Sequence, residues 1–183
     1  MIRSFCAALF VAGLVACGSS DDQAKSSSSF MVGTCSEVET EEVEHACLHG
    51  TAGPFQSVVA STSTPPDVSR AHTTYRVQLE ALAGGQFGGA VSFVPEEAGE
   101  YSLYASADIP EIHLMRDGVA IDFECSTPVP TELCGSLRRL RVADLPAGAP
   151  VVLGFASSAE TEMVLVVEHR EHAHDDGHDD HEH

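Results

Sequence analysis

Nine short runs in the middle of the chain alternate apolar and polar residues, and this constrains the fold more than any other feature. They are FQSVVA from Phe55, TTYRVQL, GAVSFV, EYSLYA, EIHLM, VAIDF, LRRLRV, PVVLGFA and EMVLVVE. Period-two alternation is the mark of a strand with one buried face. It aligns Tyr75, Val77 and Leu79, then Val91 with Phe93, Tyr101 with Leu103, and Ile112 with Leu114. In VAIDF it aligns Val119, Ile121 and Phe123. Turn chemistry separates the runs: STPPD, AGG, EEAGE, RDG and PAGAP. Asp117-Gly118 supplies the positive φ of a tight hairpin. Gly-rich ALAGGQFGGA, lying between two runs, reads as a hairpin loop. Eight or nine strands at this spacing predict an all-β fold, a single antiparallel β-sandwich, rather than alternating helix and strand.

One segment breaks the pattern. Ser36 to Gly50, SEVETEEVEHACLHG, crowds acidic residues toward its start, which suits a helix N-terminus. A short helix is expected over about 38–48, with Ser36 at its cap end.

Both ends of the chain differ from the middle. Met1–Cys17 carries Arg3 ahead of an apolar run from Phe5 to Val15, too short to span a bilayer and of the form of a secretory signal. Leu14-Val15-Ala16-Cys17 resembles a bacterial lipobox. That resemblance implies cleavage after residue 16 and acylation of Cys17. Gly18 in the next position implies the outer membrane, with the protein facing the periplasm. Residues 17–34 are rich in Ser, Gly and charge and read as a lipid-anchored flexible linker. The sandwich is then expected over 35–168, followed by a disordered tail over 169–183.

The formal charge is −19, and the last sixteen residues contribute −6 of it. Such a chain repels nucleic acid and attracts cations, so nucleic acid is excluded as a partner. Cys6 leaves with the signal and Cys17 is committed to lipid. Cys35, Cys47, Cys125 and Cys134 remain, an even number that in an exported domain predicts two disulfides. The short loops favour Cys35–Cys47 and Cys125–Cys134. Cys47-Leu48-His49 also leaves open a metal thiolate at Cys47.

Neither a G-x-S-x-G nucleophile turn, nor a phosphate-cradling Gly-rich loop, nor HExxH occurs. The chain is therefore expected to be a binding protein and not an enzyme. The tail carries His169, His172, His174, His178, His181 and His183 among six Asp and Glu. Imidazole and carboxylate together suit Zn, with Ni and Cu as further candidates. A flexible tail is expected to hold several exchangeable ions rather than one closed site. His45 and His49 lie i, i+4 apart, and His72 opens a predicted strand. His45 and His113 read as solvated surface imidazoles, whereas His49 and His72 are candidate ligands. Two roles follow from this composition. One is an envelope lipoprotein that captures, buffers or hands off a divalent transition metal. The other is a sandwich module that recognises a protein or glycan, with an incidental acidic tail.

Ala46-Cys47-Leu48-His49 followed by Gly53-Pro54, Ala71-His72-Thr73-Thr74-Tyr75, Gly99-Glu100-Tyr101 and the His-rich end together resemble a group of uncharacterised bacterial exported lipoproteins. The resemblance covers most of residues 46–183. It implies a β-sandwich and, by analogy, a link to metal, and it carries no established activity.

Lipidation is testable directly. Cys17→Ser is expected to release the protein from membranes or to leave the leader uncut. Unchanged membrane partition together with an unchanged amino terminus would contradict it.

Overall fold

The computed structural model describes residues 32–36, 38–109 and 111–170. Cys17 and His172, His174, His178, His181 and His183 lie outside them.

Helix α1 (Thr40–Ala52) precedes eleven strands among the described residues: β1 (Phe55–Val59), β2 (Thr74–Gln78), β3 (Glu80–Ala81), β4 (Phe87–Phe93), β5 (Gly99–Ala105), β6 (Glu111–Arg116), β7 (Val119–Ile121), β8 (Cys125–Pro128), β9 (Arg139–Leu145), β10 (Val151–Ser158) and β11 (Glu162–His169). They form two sheets, in the orders β1-β2-β11-β5-β9-β8 and β3-β4-β10-β6-β7. Every pairing is antiparallel except β1 with β2. The expected all-β sandwich is the observed fold.

The main core lies between the sheets. Tyr75, Val77, Tyr101, Leu103, Leu145, Met163 and Leu165 of the six-stranded sheet meet Val91, Phe93, Leu114, Val151, Leu153 and Phe155 of the other. Tyr75, Val77, Val91, Phe93, Tyr101, Leu103 and Leu114 are among the side chains that alternation aligned. Val119 departs from the pattern and is 68% exposed, because β7 is the edge strand of its sheet and only Ile121 reaches the core. The β6–β7 hairpin closes through Asp117 and Gly118 at φ 51° and 77°, both in the left-handed region that the tight turn requires. ALAGGQFGGA is only half a loop: Gly84 and Gly85 turn, whereas Gly88 and Gly89 belong to β4. A Cβ on Gly89 would sit 2.7 Å from the Ala60 Cβ, so the close approach of the 60–61 segment requires glycine there.

A second core explains why β5 and β11 are apolar on both faces. Tyr104, Leu140, Val142 and Val166 point away from the sandwich and pack against Val43 and Ala46 of α1 and against Val129, Cys134 and Leu137. The helix thus covers the outer face of the six-stranded sheet. Val43, Ala46, Cys47 and Gly50 recur at i, i+3, i+4 and i+7 and form its inward stripe. The helix starts and ends later than the sequence indicates. Glu39, not Ser36, holds the cap position, with no side-chain hydrogen bond. Glu41 and Glu42 in the first turn complement the helix dipole instead. The C-terminal cap is Gly53, at φ 80°.

The disulfides overturn the local pairing. Cys35 bonds Cys125 and Cys47 bonds Cys134, at separations of 90 and 87 residues. The physical reason is the sheet. β8 brings Cys125 beside the chain entering α1, where Gly33 bridges Cys125, and the loop after β8 brings Cys134 beneath the helix. Cys47 is therefore not a free thiolate, and the Cys47-x-His49 metal pair is excluded. Two disulfides indicate an extracellular or periplasmic setting. Among the described residues, no helix is long and apolar enough to cross a membrane.

Closing loops of this length should stabilise by about 4–5 kcal/mol per bridge on chain-entropy grounds, with 2–4 kcal/mol more usual in practice. Digestion of unreduced protein is expected to yield peptides joining Cys35 to Cys125 and Cys47 to Cys134. The double variant Cys47→Ala with Cys134→Ala is expected to lose stability in that range in urea. Recovery of a Cys35–Cys47 peptide would contradict the structure.

Candidate metal centre

Three histidines converge at one end of α1. His45 and His49 stand one helical turn apart on the flank of the inward stripe, and His72 faces them from the turn that leads into β2. Their ring centroids are 4.6, 5.6 and 6.2 Å apart. The Nε2 atoms of His45 and His49 are 2.9 Å apart, and one donates to the other according to tautomer. One ligand atom from each ring lies within 4.8 Å of the others, so the three could hold a metal ion.

Local backbone explains the placement. Helical periodicity puts residues four apart on one face. The Pro54 carbonyl accepts from the Thr74 N–H as β1 runs parallel to β2, so the end of α1 and the start of β2 lie side by side. His72 adopts φ 50°, a left-handed conformation unusual for a residue with a side chain. Such outliers cluster at functional sites.

The site is only partly wet. His45 and His72 are exposed and His49 is half-buried. The Nδ1 atom of His49 is buried and has no hydrogen-bond partner. Burial lowers the His49 pKa from 6.5, the charge of His45 adds to the effect, the Gly53 backbone opposes it and His72 lowers it further. A neutral imidazole is the form that ligates metal.

Glu168 of β11 lies beside the histidines. Its Oε1 is 4.0 Å from His45 Nδ1, the outer limit of an ion pair, and is buried without a hydrogen-bond partner. Burial raises its pKa from 4.5 to about 7, the charge of Glu42 adds to this, and His72 opposes it. Burial, not the long contact to His45, governs this carboxyl. Glu42 is otherwise engaged: Arg170 donates from Nε to both its oxygens at 3.1 and 3.2 Å, and from Nη1 to Glu100 at 3.1 Å. These bonds tie α1 to β5 and to the end of β11. A cleft of about 600 Å³ runs past the group, lined in part by Glu42, His45, His72, Glu168, His169 and Arg170.

The structure unites the two folded-domain candidates, His49 and His72, and adds His45, which the sequence alone assigns to solvent. His113 is exposed, as expected. His169 ends β11 and packs its ring against Tyr101, with centroids 4.9 Å apart. Glu168 carried no signal in the sequence beyond its place at the end of a strand. The chain matches no family model and no curated protein.

The Glu168 shift has a defined consequence for stability. A carboxyl with a raised folded pKa contributes stability that is complete below about pH 4.5 and is lost as pH rises through about 7. His49, with a lowered pKa, acts oppositely and loses stability as pH falls below 6.5. Comparing Glu168→Gln with the parent in chelator isolates the first effect. The variant is expected to match the parent near pH ~4.5 and to exceed it by roughly 2–3 kcal/mol near pH ~8 in urea unfolding. Parallel pH profiles would contradict the burial of this group.

Proposed function

We propose that the chain is an exported envelope lipoprotein that binds a divalent transition metal, with His45, His49 and His72 as a fixed site on the folded domain. The observation that carries the reading is the convergence of three imidazole nitrogens, from two separate elements, within 4.8 Å. Neutral imidazole suits zinc, nickel and copper, and zinc is the first choice because it is the most available of them. Three protein ligands leave a coordination position open to water or to a passing ligand, unlike a closed structural site.

The acidic surroundings fit a cation. Glu39, Glu41, Glu42, Glu96 and Glu97 line the adjoining cleft. His169, His172, His174, His178, His181 and His183 would supply weaker, exchangeable sites, so that the tail captures ions and the fixed site retains them. Acylation at Cys17 would hold this assembly at the outer membrane, facing the periplasm. The role is capture, buffering or hand-off, not catalysis.

Calorimetric zinc titration separates the two classes of site. A chain from Gly18 to His183 is expected to show one tighter site and several weaker ones at pH ~7.5. Ending the chain at Arg170 should keep the tighter site and remove the weaker. Replacing His45, His49 and His72 together by Ala should do the reverse. Protons compete for imidazole, so binding should weaken sharply by pH ~5.5 and release protons on metal addition. A truncated chain that binds no zinc, or a triple variant that keeps the tighter site, would defeat the reading.

A further inference from the structure

We propose that Glu168 is the positioning residue of this site: its carboxylate accepts the Nδ1 hydrogen of His45 and so leaves the Nε2 of His45 bare for the metal. The inference rests on the metal reading above and assigns a role to a residue outside the three histidines.

The geometry around His45 is directional. Its Nε2 faces the Nε2 of His49 at 2.9 Å, which makes Nε2 the nitrogen on the metal side. Its Nδ1 therefore faces away from the metal, and the group it faces is Glu168 Oε1 at 4.0 Å. That distance exceeds an N–H···O bond by about 1 Å, so the role requires the two side chains to approach when metal binds. Unless the tautomer is set, Nε2 carries the proton in a share of molecules and cannot ligate. A carboxylate on the other ring nitrogen removes that ambiguity and raises ligand basicity, the usual arrangement behind a metal-bound histidine.

Glu168 has the vacancy this role needs. Its Oε1 is buried and accepts from no donor, an expensive state for an anion that is not put to use. The other nearby carboxylate cannot substitute, because Arg170 occupies both oxygens of Glu42. Ser102 stands opposite Glu168 in the β5–β11 register, and its hydroxyl and that of Tyr104 are buried beside each other. Both are donors on the same covered face of the sheet, suited to holding the carboxylate in place.

The test uses the full chain from Gly18 to His183 with zinc as the probe. Ring ¹⁵N spectra follow His45, His49 and His72 separately from the tail, and competition with a chelating indicator gives the affinity of that site. In the parent, zinc is expected to fix His45 as the Nδ1–H tautomer. Glu168→Gln is expected to weaken zinc at the three histidines by about 10–100-fold, with mixed tautomers at His45. The metal-free variant should melt no lower than the parent, since an unpaired buried anion has been removed. Glu168→Asp, which keeps the charge, should recover part of the affinity. Unchanged affinity in Glu168→Gln would overturn the proposal. So would a parallel fall in affinity and metal-free stability, which marks a merely structural role. If zinc leaves all three parent rings unshifted, the metal reading itself fails, and this inference with it.

Discussion

The docking of α1 on the outer face of the six-stranded sheet is the constraint on which the site depends. A helix of thirteen residues is marginal alone, and this one has no capping side chain. Its position comes from elsewhere. Val43 and Ala46 are fully buried against Tyr104, Val142 and Val166, and the Cys47–Cys134 bond fixes the middle of the helix covalently. Burying the Val43 side chain is worth about 1.5–2 kcal/mol, less than a long-range disulfide typically adds. Arg170 adds a third restraint through Glu42 and Glu100. His45 and His49 flank the anchored stripe, so they inherit its position. His72 inherits its own from β2, which belongs to the covered sheet.

The same docking creates a polar face that is not satisfied. Thr74, Glu168 and His49 each present a buried polar atom with no partner, and the buried hydroxyls of Ser102 and Tyr104 have only each other. Four of these residues lie in the sheet the helix covers, and the fifth lies on the helix. An apolar set of similar shape would pack as well at less cost. Natural sequences depart from local consistency chiefly at functional sites. Glu168 and His49 of the proposed site are both among these groups.

Much of the sandwich was legible because alternation reports one-sided burial directly. Tyr75, Val77, Tyr101, Leu103 and Leu114 are core residues for that reason. Alternation fails where burial is two-sided or absent. EMVLVVE and EYSLYA read as strands, but nothing in them says that a helix covers their second face. Val119 alternates in step with Ile121 and yet departs from the burial that alternation implies, because edge position is a property of topology. The disulfides were misread for a related reason. Short loops close cheaply in an unfolded chain, whereas here the sheet brings together cysteines about ninety residues apart. The i, i+4 spacing showed His45 and His49 on one face, but their meeting with His72 depends on the parallel β1–β2 pairing. Glu168 was invisible, since its importance lies in what surrounds it.

The covered sheet and its helix hold three imidazoles with one nitrogen of each within 4.8 Å of the others, a spacing that a single metal ion can bridge. Anomalous diffraction at the zinc edge, from crystals of the chain grown with zinc, tests it most directly. An ion is expected on the folded domain about 2.0–2.1 Å from one nitrogen each of His45, His49 and His72, with Nε2 as the ligand atom of His45. An ordered ion bound elsewhere on the domain, or zinc peaks that leave these three side chains uncoordinated, would contradict it.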